Sequence, residues 1–323
     1  SRSKVSDPSI TMQCCCWFLF LPLVSAASDF EDLSDAISSF EELTESFEDR
    51  RAKAAAWPQR WADLAQVSHQ ESVEVGAILV SEWADGANPD SLNSTLNALA
   101  DGARQRLPAG WARNESCSAE WSLKLISETR SGMLAMNDEL FEDLGLKGDT
   151  ENYYDPANSF ISAVLRRKLG IPISLSIIWA AVARRLDFDS YILARFPGHV
   201  LIRVPVGCLE HPSHDPTQDL YLDAFDASVM SWGDLQSFAS RRGVSSNPEK
   251  LQRYVAPVKP ADVHSRVLRN LWKVYGKNND YAKMLGVIDM AVAFGVPEAE
   301  ELKLHRNVVI KLLQQTSEVP DTF

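Results

Sequence analysis

The stretch Gly170–Leu186 reads "GIPISLSIIWAAVARRL". Ile173, Leu175, Ile177, Ile178, Trp179, Ala180, Ala181, Val182, Ala183 and Leu186 leave it almost no polar face. A helix that is apolar all round must be covered all round, so the segment predicts a central, buried helix. Pro172 suits the first turn of that helix, where a missing N–H breaks no intrahelical bond. Whatever flanks this helix has to wrap it.

Upstream, Phe160, Ile161, Val164, Leu165 and Leu169 recur at helical spacing. Asn158-Ser159 reads as the N-cap of that helix, Arg166, Arg167 and Lys168 suit the dipole of its last turn, and Gly170 reads as its stop. Downstream the period changes. "SYILARF" (190–196), "HVLIRV" (199–204) and "DLYLDAF" (219–225) read as strands, the first two joined by a tight turn at Pro197-Gly198. Residues 205–218, with Gly207, His211, Pro212, His214 and Pro216, read as a solvated surface loop. Farther out the pattern is helical on both sides. Residues 72–107 give two amphipathic runs broken near Gly86–Pro89, and Leu123–Leu144 gives another. From Ala261 to Gln315, the runs around Leu268, Leu285 and Leu312 read as helical hairpins, with Trp272 and Tyr275 on a packing stripe. Such a hairpin cannot bury its own face, so it should dock on the main body. The fold class is α+β: a helical front, a central buried helix, a small antiparallel sheet and a helical tail.

Composition narrows the function. The chain has 323 residues, 45% of them hydrophobic and 24% charged, which is enough for about two domains at ~150 residues each. Its net charge of −12 argues against a grip on nucleic-acid phosphates. There is no P-loop, no dinucleotide glycine fingerprint and no zinc-type Cys/His spacing, so no cofactor and no metal are expected. Cys14, Cys15 and Cys16 are adjacent, which leaves Cys117 and Cys208 for the folded body and no disulfide framework. "CCCWFLFLPLV" (14–24) followed by "SAAS" resembles a signal-peptide core with a small-residue cleavage site. It reads either as a targeting segment within residues 1–28, with 14–27 as its core, or as an upstream extension. The sequence does not give the compartment: it is cytoplasmic, or, if residues 14–27 are a targeting segment, the secretory route or an organelle reached through it. The run is too short for a stable membrane span, which takes ~20 residues. Residues 29–49 hold nine acids and no bases, with Phe30, Leu33, Ile37, Phe40, Leu43 and Phe47 on one stripe. They read as an acidic amphipathic helix, with a linker to residue 71.

At larger scale, "NYYDPANSFISAVLRRKLGIPISLSIIWAAVARRL" followed by "RFPGHVLIRV" and "YLDAFDA" resembles the SirB-type transglutaminase-like family. "MNDELFEDLGLKGDTENYYDP" is similar to the same family, and "VLRNLWKVYGKNNDYAKMLGVIDMAV" to its tetratricopeptide-like C-terminus. The resemblance implies a transglutaminase-like, papain-related core over residues 72–257 and a helical-repeat tail over 258–323.

In active members of that superfamily a cysteine opens the buried helix, a histidine on the sheet is its base, and an aspartate on the next strand orients the histidine. Residue by residue, Gly170 matches the glycine before the cysteine and Asp187 stands at the closing glycine. The cysteine position is therefore Pro172. His199 matches the base and Asp223 the orienting carboxylate, with Asp226 a poorer substitute past the strand end. The resemblance also implies that proline here is a family trait. A slip in register would offer Ile173 or Ser174. Three readings follow: a degenerate triad in a protein- or peptide-binding module, with Ser174, His199 and Asp223 at the binding site; a hydrolase or peptidase-like enzyme using His199 and Asp223 to activate water; or a purely structural His199. Cys117 and Cys208 lack the helix start that activates a thiol. Ile171, Pro172 and Ile173 offer little polarity beside His199. The tail and the 30–47 stripe are the candidate exposed apolar surfaces.

Overall fold

The computed structural model describes residues 68–107, 123–206 and 214–317, with side chains up to Leu312. The segment read for targeting, the acidic stripe Phe30–Phe47, Cys117, Cys208 and His211 lie outside the described residues.

The front of the molecule is a pair of capped helices. Ser68 accepts from the Glu71 amide to start α1 (His69–Asp85), which ends on Gly86 at φ 68°. Asn88 accepts from the Ser91 amide to start α2 (Pro89–Arg106). Next, α3 (Leu123–Asn137) runs on into a π-helical turn, Asp138–Asp143. A two-residue strand β1 (Lys147–Gly148) leads to a 3-10 turn (Pro156–Ser159) and a short α4 (Ile161–Arg167). Then β2 (Leu169–Gly170) pairs parallel with β1 and feeds α5 (Pro172–Arg185).

α5 is the expected central helix. Every residue from Pro172 to Ala183 is buried, and Trp179, Ile178 and Val182 have no exposed surface at all. It packs against α1, α2 and α3, and against the sheet. Each buried aliphatic side chain is worth ~1.5–3 kcal/mol, so this helix anchors the core. Its far end is fixed by charge. Glu74 of α1, 2% exposed, accepts bonds from Arg184 and Arg185 at 2.7–3.1 Å.

The sheet is an antiparallel meander in the order β3 (Tyr191–Leu193), β4 (Leu201–Val204), β5 (Leu220–Asp223) and β6 (Ser228–Met230). Its two faces serve two cores. Ile192, Ile202, Val204, Leu220 and Leu222 join α5 in the first core. Leu193, Leu201, Tyr221 and Met230 face a second core closed by α6 (Trp232–Arg241) and α7 (Pro248–Tyr254). The tail helices α8 (Pro260–Lys277), α9 (Tyr281–Ala293) and α10 (Ala299–Ser317) stack in sequence, and α8 lies on α1. Tyr275 is buried and Trp272 partly so, as the packing stripe required. Among the described residues no helix is long and apolar enough to cross a membrane.

Several local expectations need correction. Asn158 is not an N-cap. It sits in the 3-10 turn, which Asp155 caps by accepting from the Ala157 amide, and its buried amide instead donates to Asp149 Oδ2 and Asn152 O. Gly170 does not stop α4. Lys168 takes the left-handed conformation at φ 64°, because Leu169 and Gly170 are already paired as β2. His214 is not solvated; its side chain is 9% exposed and turned inward. The strands are shorter than their hydrophobic runs, and β6, α6 and α7 add a second layer that the alternation up to Phe225 did not announce.

Candidate functional site

The structure brings His199 and Asp223 together. A turn with Gly198 at φ 69° returns the chain after β3, and His199 follows it, two residues ahead of β4. Asp223 ends β5. Their side chains share the sheet face that carries Leu201 and Tyr221, since residues two apart point the same way. His199 Nε2 lies 2.8 Å from Asp223 Oδ2, with the side chains 6% and 0% exposed. The other carboxylate oxygen of Asp223 accepts from the Phe225 amide at 3.0 Å. A carboxylate accepts, so a proton on Nε2 completes this bond. Nδ1 makes no hydrogen bond among the described residues. The imidazole is held from the side by Phe238 of α6, whose ring centre is 5.5 Å away.

Pro172 and Ser174 sit at the start of α5, in the first core. Ser174 Oγ accepts from the Ile171 amide at 3.1 Å and lies 2.5 Å from the Asn158 carbonyl. It is fully buried and works as half a capping box. Neither residue is joined to His199 or Asp223 by a hydrogen bond among the described residues. Pro172 lacks a nucleophile, and it also lacks the amide N–H that any other residue would present there. Asp187, at the position of the closing glycine, takes φ 60°, the left-handed conformation that a glycine adopts without strain. Asp226 is exposed on the turn after β5 and does not bond His199.

A cleft of about 490 Å³ lies near the pair, although neither His199 nor Asp223 lines it. Asp226 and Ser228 form one wall, and Asp234, Phe238, Arg241 and Arg242 form the other. Ser228 is the cross-strand partner of Asp223, and Phe238 is the ring against His199, so two residues of the cleft adjoin the dyad. The Arg242 guanidinium lies 4.5 Å above the Phe238 ring centre. Asp234 is held below the usual carboxylate range, first by bonds from the Ser231 hydroxyl and amide, and then by the charges of Arg130 and Arg241. The sequence did carry a signal for this wall: Ser231 and Asp234 are spaced as a capping box, with Leu235, Phe238 and Ala239 behind them on one face.

A second polar cluster lies farther along the same sheet face. Arg203 Nε donates to Asp219 Oδ2 at 2.6 Å, and Arg203 Nη1 to the Val255 carbonyl at 3.1 Å. His214 Nε2 lies 3.1 Å from the same Asp219 oxygen. Tyr221 donates to the Pro216 carbonyl at 2.7 Å, and burial pushes its phenol well above the ordinary range, so it stays a donor. Asp215 accepts from the Thr217 amide and starts a 3-10 turn. These contacts tie the 214–219 segment to the sheet. Among the described residues no group of His, Cys, Asp and Glu could hold a metal ion.

Comparison with known proteins agrees with this architecture. Residues 90–269 match the family described as the transglutaminase-like superfamily. The UPF0162 protein of Xylella fastidiosa (strain Temecula1) is 31% identical over 174 residues, which are 53% of this chain and 58% of that protein. Human F-box only protein 21 is 30% identical over 171 residues, covering 51% of this chain and 27% of its own length. The UPF0162 protein of Vibrio cholerae is 24% identical over 220 residues, 63% of this chain and 76% of that protein. The chain thus spans little more than half the length of the Xylella relative and about a quarter of the human one. No solved structure matches.

Proposed function

The chain belongs to the transglutaminase-like superfamily, and on that premise we propose that it is a non-catalytic member that binds a protein or peptide. One observation carries the reading: the buried helix α5 opens on Pro172, the position that the family resemblance gives to the nucleophile. Acyl transfer through cysteine needs a thiolate at the helix start and donors aimed at the developing oxyanion. Pro172 supplies no thiol, and it withdraws the backbone N–H nearest to where that oxyanion would form. Ser174 does not replace it, because its hydroxyl is committed to Ile171 and Asn158. Support also comes from the buried, hydrogen-bonded His199–Asp223 pair, which adjoins a cleft with charged and apolar lining suited to holding a ligand.

Within this reading we assign residues 72–257 to a SirB-type transglutaminase-like domain and residues 258–323 to a tetratricopeptide-like tail. Leu304 and Val308, which stay exposed on α10, support a second contact surface on the tail. A second functional reading rests on the dyad. With a proton on Nε2 toward Asp223, a neutral His199 would present Nδ1 as the base that activates water.

One experiment separates the two. Residues 29–323, wild type and His199→Ala, are assayed against peptide, ester and amide-transfer substrates, with melts to confirm folding. Equal, background rates for both proteins are expected. Turnover that vanishes in His199→Ala would make the protein a dyad hydrolase.

A further inference from the structure

The dyad and the cleft are one connected structure. Asp223 bonds His199 at 2.8 Å, His199 rests on Phe238 at 5.5 Å between ring centres, and Arg242 lies 4.5 Å above the outer face of the same assembly, over Phe238. Stacking on a ring fixes the plane and position of a guanidinium that would otherwise sample many rotamers. Arg241 stands beside it, seven residues after Asp234 and on the same helix face. Neither arginine pairs with a carboxylate within ion-pair distance among the described residues. Asp234 accepts from the Ser231 amide at 2.9 Å and hydroxyl at 2.7 Å, both on Oδ2, and interacts with Arg241 only at a distance beyond an ion pair. The cleft therefore has an oriented basic end with spare donors.

Its other wall sets the class of ligand. Asp226 stands on the turn before Ser228. A polyanion lying along the cleft would meet that carboxylate, while a peptide with one acidic side chain among neutral residues would not. Apolar Met230 and Phe238 line the space between the charged ends. We propose that this cleft binds an extended peptide segment, with an acidic side chain held by Arg241 and Arg242 and the neighbouring backbone passing Phe238 beside His199. The proposal rests on the binding-module reading and gives it a location and a ligand chemistry.

The test is fluorescence anisotropy with labelled acetyl-Ala-Val-Glu-Ala-Val-Ala-amide, its Gln and Lys counterparts and an all-Glu hexapeptide, alongside an array of random hexapeptides. Proteins are the wild type, Arg242→Ala, Arg242→Lys and Asp226→Asn, each checked by thermal melt. A charge-assisted bidentate contact predicts that the Glu peptide binds about tenfold or more tightly than the Gln peptide. Arg242→Ala should abolish that preference, Arg242→Lys should retain part of it, and Asp226→Asn should let the all-Glu peptide bind, which the wild type disfavours. The 15N signals of the His199 ring should shift on binding, which a purely structural Arg242 would not produce. If peptides from the array bind without regard to acidic content or Arg242, this proposal fails and the binding-module reading stands. If no peptide in either set binds the folded wild type, both fail.

Discussion

Pro172 shapes the start of α5 and, on the proposed reading, its chemistry as well. At the first turn of α5 its fixed φ lowers the entropy of the unfolded chain without costing a bond in the folded one. Pro172→Ala should therefore lose about 1 kcal/mol of stability in a denaturant melt. It should not create activity, since it restores the N–H but no nucleophile; activity in that variant would contradict the non-catalytic reading. A different residue sets the response to acid. His264 of α8 is buried against α1, with Nε2 3.4 Å from the Ser72 carbonyl and its ring 5.0 Å from that of Phe294. Burial first, offset in part by the Ser72 bond, lowers its pKa to about 4. Between pH 6.5 and 4 the unfolded chain binds a proton at this site that the folded chain refuses, so stability falls as pH falls through that window. Below about 4 the contribution is fully lost. The change amounts to about 3 kcal/mol for this group. His69, also lowered by burial, adds in the same direction. Urea melts at stepped pH should show a slope that drops by about one proton in His264→Gln; an unchanged slope would refute the assignment.

At the scale of elements, the molecule is held by a few crossings where side chains leave no slack. α5 is clamped to α1 by Glu74, whose carboxylate takes bonds from both Arg184 and Arg185. Glu74→Ala would leave two guanidinium groups, 30% and 11% exposed, facing a vacated site. The partial exposure tempers the loss, which should be about 2–3 kcal/mol, with Glu74→Gln retaining part of it. α1 meets α8 at Gly76, where an added Cβ would lie 2.3 Å from the His264 ring. Gly76→Ala should gain helix propensity and still lose about 1–3 kcal/mol to overpacking, measured in the same melts. These elements also show what the sequence made legible. α5 could be read outright because it is apolar all round, and the helices on either side because their stripes repeat with a clear period. The His199–Asp223 pairing was implied by the family resemblance, which sets a histidine on one strand and an aspartate on the next. The cap at Asn158 was misread because Asn favours N-caps in general, while this one is consumed by buried bonds to Asp149 and Asn152. The cleft could not be read from the strands alone. It depends on α6 folding back over the sheet, a tertiary event that its own short stripe does not encode.

For the molecule as a whole, the question is whether the tail is an appendage or part of the core. Val263, Val267, Leu268, Leu271 and Tyr275 of α8 are buried in the same cluster as α1 and α5. Val287 and Ile288 of α9 join it, and Gly286 of α9 packs so closely on Trp83 of α1 that a Cβ there would lie 2.4 Å from the indole. At ~1.5–3 kcal/mol for each buried side chain, the five from α8 alone represent on the order of 10 kcal/mol of burial. That is as large as the entire net stability of an ordinary domain, ~5–15 kcal/mol. A chain ending at residue 257 should therefore not fold as a smaller copy of the whole. The exposed face of α1 would draw it into aggregates, or it would populate a loosened state that binds a hydrophobic dye. Size-exclusion chromatography, dye binding and thermal melts of residues 68–257 against residues 68–317 would check this. A monomeric fragment with a cooperative melt would show instead that the tail is energetically separable. The partner search suggested by the exposed α10 face would then be made on the tail in isolation, and otherwise by substituting Leu304 and Val308 in the intact chain.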